Sequence, residues 1–168
     1  MNNQPGEEAF LQLIQENRGI IFKICNAYCA DMTIGEDLAQ EIIYHLWKSQ
    51  QRFDNSYKFS TWMYRVALNV AISFYRKEKK SAPTISLAEH DTEIEDKAEQ
   101  QESDANSQLL EQFINELKPL DRALMLLYID GKAHSEIAEI LGITETNTST
   151  KINRIKNHLK QKVSGIKE

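Results

Sequence analysis

The sequence predicts an all-α protein of two small helical domains, joined by a flexible acidic linker, with a four-helix helix-turn-helix domain as the second. The 168 residues include only six glycines and three prolines, which argues against an all-β or loop-rich fold. Leu, Ile, Ala, Glu, Lys and Gln dominate, and these residues favour helix. Apolar residues also recur at three- and four-residue spacings, except in an acidic stretch near the middle of the chain.

The first 50 residues predict two helices. Residues 7–30 have one apolar face, which Gly19 is expected to bend or interrupt. The short polar stretch 31–35 predicts a loop, and residues 36–49 predict a second helix. This second helix has a wide apolar stripe, formed by Leu38, Ala39, Ile42, Ile43 and Leu46. Its other face is polar and carries Asp37, Gln40, Glu41, Tyr44 and Lys48.

Asp37 and Glu41 lie one helical turn apart, as paired metal-binding carboxylates would. The Glu-x-x-His pattern of di-iron bundles is missing, however. We therefore expect no metal or other cofactor here, and interpret the pair as a solvated or partner-binding acidic face.

Residues 50–60 predict an aromatic-rich turn, and residues 61–79 predict a third helix. Trp62, Val66, Val70 and Phe74 follow one another at a spacing of four. Aromatic side chains interspersed with basic ones suit unstacked nucleic acid, because the rings stack on bases while the cations hold phosphates. For Trp62 and Phe74 a place in the core is the favoured interpretation. The residues that fit a core less well are Tyr57, Phe59, Arg65, Asn69 and Arg76.

The second domain follows the acidic stretch 81–106, which predicts a flexible linker with some helix near its end. Helical periodicity resumes at Leu109, Pro119 suits the first turn of a further helix, and Gly131 ends it.

The stretch 135–159 then predicts a helix-turn-helix. Gly142 allows the left-handed turn, Thr144 is a candidate N-cap, and Thr148, Ile152, Ile155 and Leu159 form one buried stripe. The opposite face of this last helix is polar and cationic, which suits the DNA major groove, although an ordinary helical hairpin would look similar.

Charge and motifs limit the function further. The net charge is −5, but bases are concentrated in residues 58–80 and 144–168, and acids in residues 86–105. Cys25 and Cys29, the only cysteines, are interpreted as buried thiols. The chain carries no P-loop, HExxH, dinucleotide turn or nucleophile elbow, so we expect no enzyme and no small-molecule substrate. Without a secretory signal or an apolar span of about 20 residues, a cytoplasmic location without membrane insertion is expected.

Two groups of motifs resemble conserved regions of bacterial RNA polymerase sigma factors. The first group resembles their second region and consists of Leu38-Ala39-Gln40-Glu41, Leu46-Trp47, Phe53-Asp54, Phe59-Ser60-Thr61-Trp62-Met63, Ala67-Leu68-Asn69 and Arg76. The second group resembles their fourth region and consists of Leu117-Lys118-Pro119-Leu120-Asp121-Arg122, Glu136-Ile137-Ala138, Leu141-Gly142-Ile143, Arg154 and Leu159. Their order and short separation resemble the extracytoplasmic-function subgroup.

The resemblance implies a promoter-specificity subunit that binds core RNA polymerase. Five residues would dock on the largest polymerase subunit: Asp37, Gln40, Glu41, Tyr44 and Trp47. Eight would recognise and hold open the minus-ten element as single-stranded DNA: Tyr57, Lys58, Phe59, Trp62, Arg65, Asn69, Arg76 and Lys77. Seven would read the minus-thirty-five element as duplex: Glu145, Asn147, Ser149, Thr150, Lys151, Asn153 and Arg154. The resemblance also implies an anti-sigma partner.

Three positions depart from the family pattern. Thr148 stands where an aliphatic residue is usual, Ser149 where a base is usual and Ser73 where an acid is frequent. The alternative functions are a stand-alone helix-turn-helix regulator, which would normally dimerise to reach two half-sites, and a sigma-like adaptor that binds only proteins.

Overall fold

The structure is a computed structural model that describes residues 5–53, 55–81 and 102–166. Within these ranges the fold is all-helical, which confirms the predicted fold class. The first domain contains α1 (Glu7–Glu16), α2 (Arg18–Tyr28), α3 (Met32–Lys48), a 3-10 turn (Gln50–Arg52) and α4 (Phe59–Ser81). The second contains α5 (Glu102–Glu116), α6 (Pro119–Ile129), α7 (His134–Leu141) and α8 (Glu145–Ile166).

Two helix boundaries differ from the sequence prediction because side chains cap the backbone. The first long helix breaks at Asn17 and not at Gly19, and the Asn17 side-chain amide donates to the carbonyl of Leu13 over 2.8 Å. The predicted loop 31–35 is wrong, since α3 already begins at Met32. The Asp31 carboxylate accepts a 2.7 Å hydrogen bond from the Thr33 amide and so caps the helix.

The core of the first domain forms where α2 and α4 pack on α3. Leu38, Ile42 and Leu46 are fully buried along α3, as the sequence predicts, whereas Ile43 is 43% exposed. At the end of this core, four aromatic rings meet in contacts between 5.3 and 5.9 Å from centroid to centroid: Phe10, Phe53, Phe59 and Trp62.

The helix-turn-helix forms as its turn residues predict. Gly142 has a left-handed backbone with φ of 69°. The Thr144 hydroxyl accepts a 3.0 Å hydrogen bond from the Asn147 amide, which confirms the N-cap. Thr148 is completely buried, and its hydroxyl donates to the Thr144 carbonyl over 2.9 Å. A threonine therefore serves at this core position without leaving a buried hydroxyl unpaired.

The first helix of the second domain begins near the end of the acidic stretch, where the sequence predicts some helix. Helix α5 starts at Glu102, inside the stretch 81–106 that the sequence assigns to the linker. The predicted flexibility of that linker concerns residues 82–101, which lie outside the described residues. At the other end, α8 continues to Ile166 and is the second longest helix in the described part of the chain.

The two domains pack directly against each other. Helices α6 and α7 contact α2 and α4, and the buried side chains of both domains form one continuous apolar cluster. The sequence does not predict this arrangement, because neither domain needs the other to complete its own helical pattern.

Candidate nucleic-acid and protein-binding surfaces

The acidic face of α3 is open to solvent. Asp37, Gln40, Glu41 and Tyr44 are all exposed, and Tyr44 retains 58% of its accessible surface. Their spacing of three and four residues places them on one side of the helix. Trp47 is only half-buried, because its ring lies 6.2 Å from the Phe10 ring in an edge-to-face contact. The face therefore combines two carboxylates with one aromatic side chain at the surface and a second at its edge.

A polar stripe runs along the exposed side of α4. Arg65, Asn69 and Arg76 are exposed and follow one another at helical spacing, and Lys77 is exposed beside them. Tyr57, which is 48% exposed, and Lys58 extend this surface just before the helix begins. The stripe brings together one accessible ring, several cations and an amide, which are the side chains that hold unpaired nucleotides.

Phe59 does not belong to that surface, and the expectation that it does is wrong. The side chain is 8% exposed, since its ring packs edge-to-face on Phe10 at 5.7 Å and on Phe53 at 5.3 Å. Burying such a ring is worth about 2 kcal/mol, so it stays in the core. Trp62 packs on the same cluster and is half-buried, in line with the preferred core interpretation.

The polar face that the sequence predicts on α8 is largely open to solvent. The buried residues of this helix include Thr148, Ile152 and Ile155, whereas the exposed ones include Glu145, Asn147, Thr150, Asn153 and Arg154. Ser149 and Lys151 flank them and are half-buried. The Ser149 hydroxyl and His134 Nδ1 share a 2.8 Å hydrogen bond, so a side chain of α7 fixes the position of this hydroxyl.

The described surfaces differ in charge. On α8, Lys151, Arg154, Lys156 and Lys160 follow the single acid Glu145, whereas the exposed side of α3 is acidic. A basic helix suits the phosphate backbone of duplex DNA, and an acidic face suits a basic protein partner. In the described residues no group of three or more His, Cys, Asp or Glu side chains is placed to hold a metal ion. None of the described helices combines the length and the apolar character required to span a membrane.

Two residues of the second domain form contacts with the first domain that the sequence did not predict. Asp130 and the buried Arg122 both contact the first domain. For Asp130 a signal was available: it stands at the C-cap of α6, where an acid opposes the helix dipole. For Arg122 the signal was its place directly before the apolar run 123–127 of α6.

Two family models match the chain in order. The model described as Sigma-70 region 2 matches residues 13–81, and that described as Sigma-70, region 4 matches residues 107–159. Among similar proteins is the ECF RNA polymerase sigma factor SigW of Bacillus subtilis, 28% identical, with 95% of this chain and 91% of the relative covered. The RNA polymerase sigma factor YlaC of the same organism is 27% identical, with 96% and 94% covered.

Two solved structures share the fold. The complex of CnrH with the cytosolic domain of CnrY matches with a TM-score of 0.68 and 17% identity, covering 95% of this chain and 90% of that one. The sigma factor RpoE of Bartonella quintana, in complex with the anti-sigma factor NepR, matches with a TM-score of 0.64 and 18% identity, covering 94% and 96%.

Proposed function

The chain belongs to the sigma-70 family as an RNA polymerase sigma factor of the extracytoplasmic-function type, and we propose that it works through three separate surfaces. The acidic face of α3 binds core polymerase, the polar stripe of α4 holds the parted minus-ten element, and α8 reads the minus-thirty-five duplex. The observation that carries this proposal is the match to both family regions, in order, over chains of nearly equal length.

The α3 face suits docking because its carboxylates and aromatic rings are accessible together. Exposed charges steer association and fix orientation, while an aromatic side chain such as Tyr44 gives contact area at low entropic cost. Asp37 and Glu41 then pair with cations of the polymerase subunit, and Gln40 and Trp47 complete the surface.

The α4 stripe suits parted strands for an energetic reason. Opening duplex DNA costs on the order of 1.4 kcal/mol per stacking step. Stacking an unpaired base on an aromatic side chain returns roughly 1–3 kcal/mol. Tyr57 supplies this ring, Asn69 hydrogen-bonds a base edge, and the cations, Lys58, Arg65, Arg76 and Lys77, hold phosphates.

The α8 helix suits a closed duplex because its exposed side chains are long, polar and carried on a rigid element. Asn147 and Asn153 can read base edges in the major groove, and Lys151 and Arg154 can contact phosphates. Ser149 replaces a cation that is usual in the family, and its bond to His134 gives it a fixed direction. Minus-thirty-five preference is therefore expected to differ from that of relatives with a base at this position.

The protein itself supplies no chemistry in this scheme, since RNA synthesis belongs to the polymerase, and it works in the cytoplasm, where the polymerase is. An anti-sigma factor is a further proposed partner. Support comes from the two solved neighbours in complex with other proteins, one of which is described as an anti-sigma factor.

Reconstitution with core polymerase tests the function. Purified protein and core enzyme are mixed with genomic fragments, and transcript starts are mapped by run-off synthesis. The proposal predicts a stable complex and new starts that share two upstream elements. Absence of both results, or tight duplex binding by a free dimer without polymerase, would instead support a stand-alone regulator.

Charge reversal tests the docking surface. Asp37→Lys with Glu41→Lys should weaken core binding by about 10- to 100-fold, because two interfacial charges change sign. The matched control is Glu16→Lys with Glu111→Lys, which makes the same change in net charge at exposed positions on α1 and α5. Equal affinities for the two double variants in a pull-down titration would rule out α3 as the docking face.

A further inference from the structure

A side-chain hydrogen bond joins the two helices of the helix-turn-helix. His134 is the first residue of α7, and its Nδ1 atom lies 2.8 Å from the hydroxyl of Ser149, in the second turn of α8. Both side chains are half-buried, so each is packed against the protein and still reaches the surface. The bond therefore lies at the edge of the polar surface of α8, where a second helix contributes to it.

Ser149 differs from its two neighbours in the direction of its hydroxyl. A hydroxyl inside a helix can donate to the backbone carbonyl four residues earlier. Thr148 and Thr150 both donate in this way, each over 2.9 Å. Ser149 bonds instead to a side chain of another helix. His134 thus keeps this hydroxyl away from the backbone of α8, to which the hydroxyls on either side are bonded.

The His134 ring is also held by α6. Its centre lies 6.3 Å from the centre of the Tyr128 ring, at an interplanar angle of 49°. The Tyr128 hydroxyl in turn accepts a 3.2 Å hydrogen bond from Lys156 Nζ on α8. This path of contacts leaves α8 at Ser149 and returns to it about two turns later. It limits where the imidazole can lie, and with it the Ser149 hydroxyl.

The position of the imidazole proton decides what Ser149 can offer to a base. In a neutral imidazole one ring nitrogen carries the proton and the other accepts. Among the described residues, Ser149 alone hydrogen-bonds to the His134 ring, so Nε2 is left to solvent or to DNA. The first helix of a helix-turn-helix crosses the DNA backbone, where phosphate oxygens attract an N–H and repel a lone pair. The proton is therefore assigned to Nε2, and Nδ1 accepts from the Ser149 hydroxyl.

A serine held in this way loses its usual ambiguity towards bases. A free hydroxyl can donate or accept, so it pairs with any base. Once its only hydrogen is given to His134 Nδ1, the Ser149 hydroxyl can only accept. In the major groove the amino groups of adenine and cytosine donate, whereas guanine O6 and thymine O4 accept. An acceptor on the protein favours the first two bases and repels the oxygen of the others.

We propose that His134 and Ser149 form a reading pair that selects a base with an exocyclic amino group, adenine or cytosine, at one position of the minus-thirty-five element. This inference rests on the proposed function, in which α8 lies in the major groove. Ser149 contacts the base, and His134 is a positioning residue that removes the donor state of the hydroxyl. Loss of His134 should therefore change base preference at one position, whereas loss of a phosphate contact alone would weaken binding to all sequences alike.

Selection from a promoter library tests the reading pair. Core polymerase reconstituted with the full-length protein is mixed with promoter fragments whose upstream element is randomised, and the bound fragments are sequenced. Wild type should enrich adenine and cytosine over guanine and thymine about tenfold at one position, as one well-made hydrogen bond allows. His134→Ala and Ser149→Ala should each reduce that preference below about twofold and leave the preferences at the other positions unchanged.

A double variant and a matched control show whether His134 acts through Ser149. Combining His134→Ala with Ser149→Ala should give the same base preference as Ser149→Ala alone, because the positioning effect has no further target. His158→Ala removes a different histidine, exposed on α8, and should leave the preference at every position as in wild type. Additive losses of preference in the double variant would contradict positioning through the serine.

The remaining outcomes separate this inference from the proposed function. Unchanged base preference in His134→Ala would overturn the reading pair, even if affinity for all fragments fell. Enrichment of guanine or thymine at the position that Ser149→Ala affects would overturn it as well. If the wild-type complex enriches no upstream element at all, the proposed role of α8 fails. That result differs from an element that is selected but does not respond to His134→Ala, which would refute the reading pair alone.

Discussion

Arg122 offers the sharpest test of how the two domains are joined. Besides Ala27 in the first domain, its guanidinium donates to the carbonyls of Asn115 over 2.6 Å and Leu117 over 3.2 Å at the end of α5. Arg122→Met keeps much of the side-chain volume but leaves all three carbonyls without this donor. A buried polar group that loses its partner costs roughly 1–3 kcal/mol, and relief of the buried charge returns part of this. We therefore expect a loss of about 3 kcal/mol in the free energy of unfolding.

Urea unfolding followed by far-ultraviolet circular dichroism measures this loss. Arg122→Lys should fall between wild type and Arg122→Met, since an ammonium group retains the charge but lacks the forked guanidinium that reaches all three carbonyls. Arg154→Met, at an exposed position of α8, should change stability by less than about 0.5 kcal/mol. Stability of Arg122→Met equal to or above that of wild type would refute the reasoning, because the guanidinium would then be replaceable by apolar packing.

The other predictions concern the aromatic cluster, the interface and the thiols. Phe59→Ala should lower the free energy of unfolding, measured by heat or urea, by about 3–4 kcal/mol. Tyr57→Ala should change that free energy by less than about 0.5 kcal/mol but should reduce promoter opening. Similar effects of the two changes on stability and on promoter opening would contradict the assignment of Phe59 to the core and Tyr57 to the surface. Burial of Asp130 alone would raise its pKa, but hydrogen bonds from Lys23 and Tyr64 outweigh this and hold the pKa below its ordinary value of 3.8. Because the pKa of Asp130 is lower when the domains are packed together, this contribution to stability is complete above about pH 5 and is lost as the pH falls through the lowered pKa. The free energy of unfolding should therefore show no transition from this group between pH 6 and 8, and a midpoint near neutrality would be inconsistent. Burial raises the pKa of Cys25 from 9.0 to about 11, with a smaller contribution from the nearby Cys29. Alkylation of Cys25 by iodoacetamide at pH 7.5 should therefore be about 100-fold slower in the folded protein than in urea. Equal rates would show that the thiol is accessible and unperturbed.

Local sequence chemistry predicts the helix-turn-helix well. Pro119, Gly142 and Thr144 act through their own backbone preferences or through bonds to residues a few positions away. Such signals do not depend on the rest of the fold, so the order of α6, α7 and α8 follows from them. The boundaries at Asn17 and Asp31 were missed for a related reason: the break was assigned to Gly19 instead of the capping Asn17, and the capping Asp31 was interpreted as part of a loop.

The aromatic side chains could not be assigned from sequence alone. Tyr57 and Phe59 stand two residues apart in the same short segment, and either could stack on a base. Only the three-dimensional positions of Phe10 and Phe53 decide that Phe59 enters the core while Tyr57 remains outside. Phe10 is 49 residues away, and periodicity within one helix does not report such a contact.

The contact between the domains is the feature of the structure that the sequence predicts least. Lys23 and Asp130 are separated by 107 positions and would each be interpreted as an ordinary surface charge. Tyr64 has an apolar helical spacing that predicts burial, but not the domain against which it is buried. What pairs these residues is the packing of α6 and α7 on α2 and α4, which no local pattern encodes.

The central claim is that one helical domain takes parted strands while the other takes paired ones. A double footprint on a promoter recovered by the run-off experiment tests it directly, with permanganate reporting unpaired thymines and hydroxyl radicals reporting backbone protection. With core polymerase present, we predict reactive thymines at the minus-ten element together with protection at the minus-thirty-five element. Loss of thymine reactivity alone in Asn69→Ala, and of upstream protection alone in Arg154→Ala, would assign each signal to its helix. Reactive thymines without core polymerase, or simultaneous loss of both signals in each variant, would contradict the account.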